Sequence, residues 1–519
     1  MAKKFNITGV CLPDQHYMAD VSGKFNAIVN LVGEGEYFII NRPRQYGKTT
    51  MLHRLAVVLN QTGEYLCLRI SFEGIGDTAF QSEEGLAPMF FRQLARYASR
   101  IDTELSDWLT ERSKQLADLE DLSQAISDLV KKSGRKVVVL IDEVDKSSNN
   151  QLFLHFLGLL RDKYLERAEE GTFHSVVLAG VHDVKSLKLK LRPEAEAKYN
   201  SPWNIATDFK VDMNLHPLEI EPMLREYAAD RDVAMDTRLM AERLFYYTSG
   251  YPFLVSKLCK MFDEEMLPQK TARTWTVEDV EIAVQQLVRE SNTNFENVIK
   301  NLENNPELYQ IVFNVLVKGE HEDYNLHDPL VNLGLLHGFF KNGWGIRIHN
   351  RVYEELIFNY MTSRAKSDLL MTHQNTGHYF YAPNNRLNLE AVLLRFQAFL
   401  REEYSRKDRD FLERQGRLIF LAFIKPIING HGYSFKEPQI SEERRLDVVV
   451  TFHQHKYVAE LKIWRGPEAH QTGLDQLADY LDSLALQEGY LLIFDHSAAK
   501  MWQNERIEHQ GKKIFAVWV

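Results

Sequence analysis

The chain has 519 residues, of which 45% are apolar, and a formal net charge of −10; at ordinary domain sizes that is length for about three or four units with cores of their own. The three cysteines, Cys11, Cys67 and Cys259, are scattered and odd in number, which excludes a disulfide framework or a paired-cysteine zinc site and predicts a reducing, cytoplasmic setting. No stretch is apolar and long enough to span a bilayer and the opening MAKKFNITGV has no apolar run behind its basic residues, so neither a membrane segment nor a signal peptide is expected, and the acidic balance argues against broad coating of nucleic acid while permitting a local basic channel.

Residues before Glu34 read as a lead-in, with Phe25, Ile28, Val29 and Val32 at helical spacing, expected to pack on the strand that follows. That strand opens residues 37–50, YFIINRPRQYGKTT, an apolar run that breaks into a short polar loop and then Gly47, Lys48, Thr49 and Thr50 at a helix start. Strand, loop and helix in this order form a phosphate-binding loop. Backbone N–H groups at the helix N-terminus face an anion, Lys48 reaches the β/γ-phosphates of ATP, and the Thr49 hydroxyl ligates Mg²⁺. The pattern G-x-x-x-x-G-K-[ST] is broken at its first glycine, where Arg42 stands before Pro43 and Arg44. The loop is therefore expected to enter differently and to bring two guanidinium groups, with Arg44 joining Gly47, Lys48, Thr49 and Thr50 as nucleotide-binding candidates.

A helix over 51–59, a strand over 65–72 and a helical region over 86–129, with capping signals at Ser106 and Asp118, come next. Residues 136–146, KVVVLIDEVDK, are an apolar run suited to a strand buried on both faces of a parallel sheet, with its acids at the carboxyl edge where ligands bind. In this Walker B pattern Asp142 holds Mg²⁺ and Glu143 polarises the water that attacks the γ-phosphate. A further strand over 175–181 ends in His182 and Asp183, either of which would sense the γ-phosphate in an ATPase of the additional-strand type; a plain polar loop reads equally well. The basic run at 185–198 would touch nucleic acid, place Arg192 as an arginine finger into a second copy of this chain, or simply form a solvated face.

Helices are predicted over 219–228, 237–248, 253–266 and 275–302. The Gly250-Tyr251-Pro252 entry suits a lid over the nucleotide, which makes Pro252 a candidate. Residues 305–363 read as a winged helix whose wing turns at Asn342-Gly343. Its recognition stretch, HDPLVNLGLLHG, holds no Arg or Lys, which favours a packing or lid role over groove reading. Residues 364–388 read as a linker.

Beyond it, helices over 389–404 and 411–424 precede RLDVVVTF and YVAELKI, two strands joined by the polar turn HQHK. Period-2 geometry sets Glu460 and Lys462 on one face, and pairing across the turn brings Asp447 to it. Two carboxylates there would hold Mg²⁺ against a phosphodiester, with Lys462 orienting the nucleophile or stabilising charge. A hairpin with charges on its solvent face is the plainer reading of D…E-x-K alone. Glu413 on the preceding helix adds a further acid, Gln476 and Tyr480 form a Q-x-x-x-Y pair on the next helix, and His453 and His455 in the turn read as metal ligands or, more plainly, as part of an exposed polar turn.

These stretches, NRPRQYGKTT, LIDEVD, TSGYPFLVSKLC, LERQGRLIFLAFIKPIING, RRLDVVVTF, AELKIWRG and GLDQLADYLD with GYLLIFD, resemble a family of bacterial proteins that join an N-terminal AAA-like ATPase domain to a C-terminal PD-(D/E)xK nuclease domain. The motif's proline is Leu446 here. The resemblance implies an α/β chain with an AAA-like P-loop core at 1–213, a helical lid at 214–304, a winged-helix-like part at 305–363, a linker at 364–388 and a restriction-endonuclease-like domain at 389–519. It implies ATP and Mg²⁺ as cofactors, DNA as partner and a role with mobile elements or foreign DNA. Two functions remain open at this point: an ATP-gated, metal-dependent nuclease, and a regulatory switch whose C-terminal fold binds nucleic acid or protein without cutting.

Overall fold

The computed structural model describes residues 3–147, 151–181, 203, 205–290, 292–318, 323–325, 328–343, 345–368, 380–382, 386–403, 416, 419–421, 423–424, 427–428, 432–436, 447–452, 455–464, 466–495, 497 and 502–519. The chain divides into one unit of Met1–Glu290, Asn332–Phe340 and His349–Arg351 and another of Ser291–Val331, Lys341–Ile348 and Val352–Val519.

The first unit is built on α1 (Ser22–Gly33), β1 (Phe38–Asn41), α2 (Lys48–Gln61), β2 (Tyr65–Ser71), α3 (Glu83–Ala98), α4 (Thr103–Ser113), α5 (Leu119–Ser133), β3 (Lys136–Asp142), α6 (Gln151–Leu165) and β4 (Ser175–Gly180). Its sheet is parallel in the order β1-β4-β3-β2. The runs KVVVLID and SVVLAG are aliphatic without alternation, and every residue of them past Lys136 is buried, as a strand covered on both faces requires. The edge of β1 is covered by a parallel bridge, Phe38 to Thr207, where Thr207 N–H donates to the Tyr37 carbonyl at 2.8 Å. Because β4 enters last but lies between β1 and β3, the carboxyl ends of all three strands meet at one edge.

The helices start where short polar side chains satisfy free N–H groups. Asp118 accepts from Asp121 N–H at 2.8 Å at the head of α5, and Asp102 accepts from Leu105 N–H at 2.9 Å at the head of α4. Ser106, expected to cap, lies inside α4, and its hydroxyl donates to the Ala95 carbonyl of α3 at 3.1 Å. The lead-in helix α1 packs on helix α2, with the Arg54 guanidinium 4.3 Å from the Phe25 ring centre.

A helical layer follows: α7 (Pro217–Arg231), α8 (Thr237–Thr248), α9 (Pro252–Met261), extended by a π turn at Phe262–Met266, and α10 (Val277–Arg289). The stretch expected as one helix over 275–302 breaks after Arg289, because the Asn292 side chain accepts from Phe295 N–H at 2.9 Å and so starts α11 (Thr293–Asn304) afresh. Between α8 and α9, Gly250 has φ +74°, and a Cβ there would stand 2.2 Å from the Leu215 carbonyl oxygen. Gly250→Ala is therefore expected to destabilise this unit by about 3 kcal/mol or more, through backbone strain and a clash that no rotamer relieves. Thermal denaturation tests it, and an unchanged midpoint would contradict it.

The stretch read as a winged helix holds α12 (Pro306–Phe313), α13 (Pro329–Leu336), a hairpin of β5 (Phe340–Gly343) and β6 (Gly345–Ile348), and α14 (Arg351–Asp368). The turn expected at Asn342-Gly343 falls later, since β5 runs through Gly343 and Gly345 supplies φ +122°. The expected linker also differs. Helix α14 continues past Arg364, and β7 (Tyr381–Ala382) pairs with β8 (Arg386–Leu387). Phe380 and Leu387 are core residues, an apolar contribution masked by the Pro-Asn-Asn between them.

The C-terminal sheet is mixed, with β9 (Gly432–Lys436), β10 (Asp447–Phe452), β11 (His455–Ile463), β12 (Glu488–Phe494), β13 (Asn504–His509) and β14 (Lys512–Trp518) in the order β13-β14-β12-β11-β10-β9. Two separate cores form, as strand alternation dictates. Val448, Val450, Ala459, Leu461 and Leu492 pack with Val392, Phe396 and Leu400 of α15 (Leu389–Glu403) on one face. Val449, Val458, Leu491 and Ile493 pack with Leu474, Leu477 and Leu481 of α16 (Pro467–Ser483) on the other. His455 pairs with Phe452 inside the ladder, so it is a strand residue where a turn was expected; His453 lies outside the described residues. Among the described residues no helix is long and apolar enough to cross a membrane.

Candidate nucleotide and metal sites

At the end of β1 the chain stays on the sheet for one more residue, Arg42 N–H donating to the Gly180 carbonyl at 3.2 Å. The Arg42 guanidinium turns into the body of the unit, donating to the carbonyls of Asn41 (2.9 Å) and Val211 (2.8 Å) with its carbon 5.4 Å from the Phe209 ring centre. The residue in place of the first glycine is thus occupied by backbone carbonyls, which corrects the expectation of two guanidinium groups offered by the loop. Arg44 is exposed. The loop then turns sharply, with Gln45 at φ +60° and Gly47 at φ +75° on either side of buried Tyr46.

Lys48 opens α2 and is buried, its ammonium donating to the carbonyls of Arg42 at 2.7 Å and Pro43 at 2.9 Å. Burial lowers its pKa, opposed by Glu143, Asp145 and Asp142. The next residue, Thr49, lies close enough to the Asp142 carboxylate at the end of β3 for its hydroxyl to favour the charged form. Burial raises the Asp142 carboxyl, against the pull of Thr49, the Glu143 N–H, Lys48 and Arg69. Glu143 holds φ +54°, and its N–H donates to Asp142 Oδ1 at 3.1 Å. A non-glycine residue in the left-handed region costs about 1 kcal/mol or more and persists where surrounding contacts enforce it. Burial first, and then the Asp142 charge, push the Glu143 carboxyl above its ordinary range.

Three further residues that were not singled out as candidates complete this edge. Asp145 Oδ2 accepts from Val181 N–H at 2.5 Å, and a Cβ on Gly180 would stand 2.8 Å from Val144 Cγ2, so the end of β4 and the loop after β3 meet over a bare glycine. Arg69 of β2 donates to the Thr49 carbonyl at 3.3 Å. Tyr251, the residue before Pro252, donates its hydroxyl to the Arg44 carbonyl at 2.8 Å and stacks on Tyr46 with ring centres 4.7 Å apart. The lid entry reaches the loop through Tyr251, with Pro252 as the first residue of α9 behind it. The Thr50 hydroxyl accepts from Cys11 N–H at 3.0 Å and so ties the lead-in to α2. His182, Asp183 and Arg192 lie outside the described residues.

The oxygens of Thr49 and Asp142 are hard donors of the kind Mg²⁺ takes. Among the described residues no three His, Cys, Asp or Glu side chains gather into a metal cluster.

In the C-terminal sheet Asp447 stands opposite Glu460 in the antiparallel ladder of β10 and β11. Glu460 is 2% exposed, and its Oε1 lies 2.6 Å from the Lys462 ammonium, which also donates to Gln476 Oε1 of α16 at 2.7 Å. The Lys462 stem runs past Gly473, where a Cβ would stand 3.5 Å from its Cε. The fold thus gathers Glu460, Lys462 and Gln476 and brings the backbone of Asp447 to the same level; Glu413 lies outside the described residues.

A family model described as an AAA-like domain matches residues 10–341. No curated protein matches. Among solved structures the chain is similar to the Walker-type ATPase paby2304 of Pyrococcus abyssi, at 13% identity over 68% of this chain and 99% of that one with a TM-score of 0.47. It is also similar to the ORC2 protein of Aeropyrum pernix in its ADPNP-ADP complexes (13% identity, 69% and 96% of the two chains, TM-score 0.38). A third is the RuvB Holliday junction branch migration motor of Thermotoga maritima (17% identity, 66% and 96%, TM-score 0.33).

Proposed function

This chain belongs to the AAA-like domain family, and on that premise we propose that it binds and hydrolyses ATP at the edge where β1, β3 and β4 end. The observation that carries this reading is buried Lys48 at the start of α2, its ammonium held by the loop carbonyls of Arg42 and Pro43 and acted on by the charges of Glu143, Asp145 and Asp142 at and just after the end of β3. Lys48 exchanges two loop carbonyls for phosphate oxygens, a trade of neutral for charged acceptors that favours the bound state. Thr49 and Asp142 would hold Mg²⁺, which when bound neutralises charge on the phosphates. Glu143 orients the attacking water and receives its proton, and a carboxylate pushed upward by burial is a better base for that task. Release of phosphate from ATP by the purified protein, with Mg²⁺ and with chelator, tests the reading; no turnover in either condition would refute hydrolysis.

The Asp142 carboxyl is raised by burial, so its proton competes with Mg²⁺ at a higher pH than an ordinary aspartate allows. Mg²⁺-dependent ATP affinity is expected to fall on acidification from about pH 8 to about pH 5. The sign is opposite for folding: a raised carboxyl favours the protonated folded state, so stability falls as pH rises from the ordinary aspartate pKa through the raised one. Calorimetric titration at several pH values checks the binding effect, and Asp142→Asn should flatten the profile. A flat wild-type profile would contradict the assignment.

The C-terminal sheet supports a second active site, a metal-dependent nuclease acting on DNA, in which Asp447 and Glu460 would hold Mg²⁺ and Lys462 orients water or stabilises phosphate charge. Gln476 supports Lys462 at 2.7 Å. Glu460 is buried while the Lys462 side chain is partly exposed, an arrangement that leaves the ammonium within reach of a phosphodiester. In this reading the ATP state gates cutting, as a device of defence or mobile-element biology, with a homo-oligomer as the setting in which Arg192 would act. The alternative is an ATP-dependent switch whose C-terminal domain binds nucleic acid or protein without cutting.

A further inference from the structure

Tyr46 is the only residue between Gln45 and Gly47, both of which hold positive φ, so the direction of its side chain sets the turn of the phosphate-binding loop. That side chain is held from two sides within the first unit. The Tyr251 ring stacks on it, and its hydroxyl lies 2.7 Å from Nε2 of His349, which is 6% exposed. Asn350 Nδ2, which can only donate, lies 3.2 Å from His349 Nδ1. One buried hydrogen bond joins the His349 ring to the Tyr46 hydroxyl, its direction set by the tautomer of the ring. His349 is itself fixed by its N–H, which donates to the Phe339 carbonyl at 2.6 Å. Pro43 of the same loop lies against Gly338: a Cβ on Gly338 would be 3.2 Å from Pro43 Cγ.

We infer that His349 is a positioning residue of the nucleotide site, acting through Tyr46 to hold the loop in its binding conformation. The inference rests on the proposal that ATP binds at Lys48. Its site lies more than 300 residues away along the chain, and no motif marks it. A left-handed Gln45 persists only where neighbours enforce it. Without the His349 contact the loop relaxes, and part of the binding energy for nucleotide is spent on restoring it.

The test is nucleotide affinity of the full chain, read with a fluorescent ADP analogue, together with kcat for ATP and the melting temperature. Tyr46→Phe keeps the ring and its stack and loses only the hydroxyl. It is expected to weaken affinity about tenfold with kcat within about twofold of wild type, as loss of one buried hydrogen bond that acts on binding alone predicts. His349→Ala should do the same. The double variant should be no weaker than the worse single one, because both remove one contact. His349→Gln, whose amide can donate or accept in place of Nε2, should recover most of the loss. Unchanged affinity in Tyr46→Phe and His349→Ala, a lower melting temperature with affinity unchanged, or multiplicative effects in the double variant would overturn the inference. If wild type binds no nucleotide, the ATP reading itself fails and takes the inference with it, an outcome distinct from these.

Discussion

Lys48→Ala is expected to weaken ATP binding by about 10²–10³-fold, while Glu143→Gln keeps the affinity and lowers kcat by about 10²–10⁴-fold. The two residues lie at the same sheet edge and touch different stages of the reaction. Lys48 is a buried cation whose present partners are the carbonyls of Arg42 and Pro43, so its deletion removes the charge that phosphate oxygens would meet and leaves two carbonyls without a donor. Glu143 has no such role. Its backbone N–H supports Asp142, a contact glutamine retains, and only the basic carboxylate is lost. Equal loss of binding in both variants would sink the assignment of Glu143 to the water.

The second large effect concerns the C-terminal sheet. Lys462→Met combined with Glu460→Gln is expected to lower DNA cleavage by at least about 10²-fold and leave ATP turnover within about twofold of wild type. The paired change is preferred to Lys462→Ala alone, since an unpartnered Glu460 at 2% exposure would destabilise the fold by about 3–5 kcal/mol and confuse the result. Asp447→Ala is the complementary single variant. Retained cleavage in both would remove these residues from the chemistry.

The parallel sheet was legible because its strands are unbroken aliphatic runs that end in recognisable acids or in Gly47-Lys48-Thr49. Glu460 and Lys462 were legible for a similar reason, as two charges at period 2 in an apolar strand. What escaped was set by distant partners. Asn41-Arg42-Pro43 reads as a loop with spare charge, yet Arg42 is bound by Val211. Strand β13, NERIEH, reads as polar because it is an edge strand with most residues exposed. Tyr46, Tyr251 and His349 are ordinary core aromatics by composition, and only the fold makes them neighbours of the phosphate-binding loop. Tyr251 had one local signal, an aromatic placed directly before the proline that opens α9. His349 had none.

The most direct measurement is incubation of the purified full-length protein with linear, circular and single-stranded DNA, with and without Mg²⁺ and ATP, beside Asp447→Ala and Glu143→Gln. The account predicts Mg²⁺-dependent cleavage by wild type, none by Asp447→Ala despite normal ATP turnover, and an altered amount or DNA-form preference with Glu143→Gln, whose trapped ATP state shifts the populated conformation. Wild-type protein that hydrolyses ATP and binds DNA but cuts no form of it under any of these conditions would contradict the nuclease and leave the switch in its place.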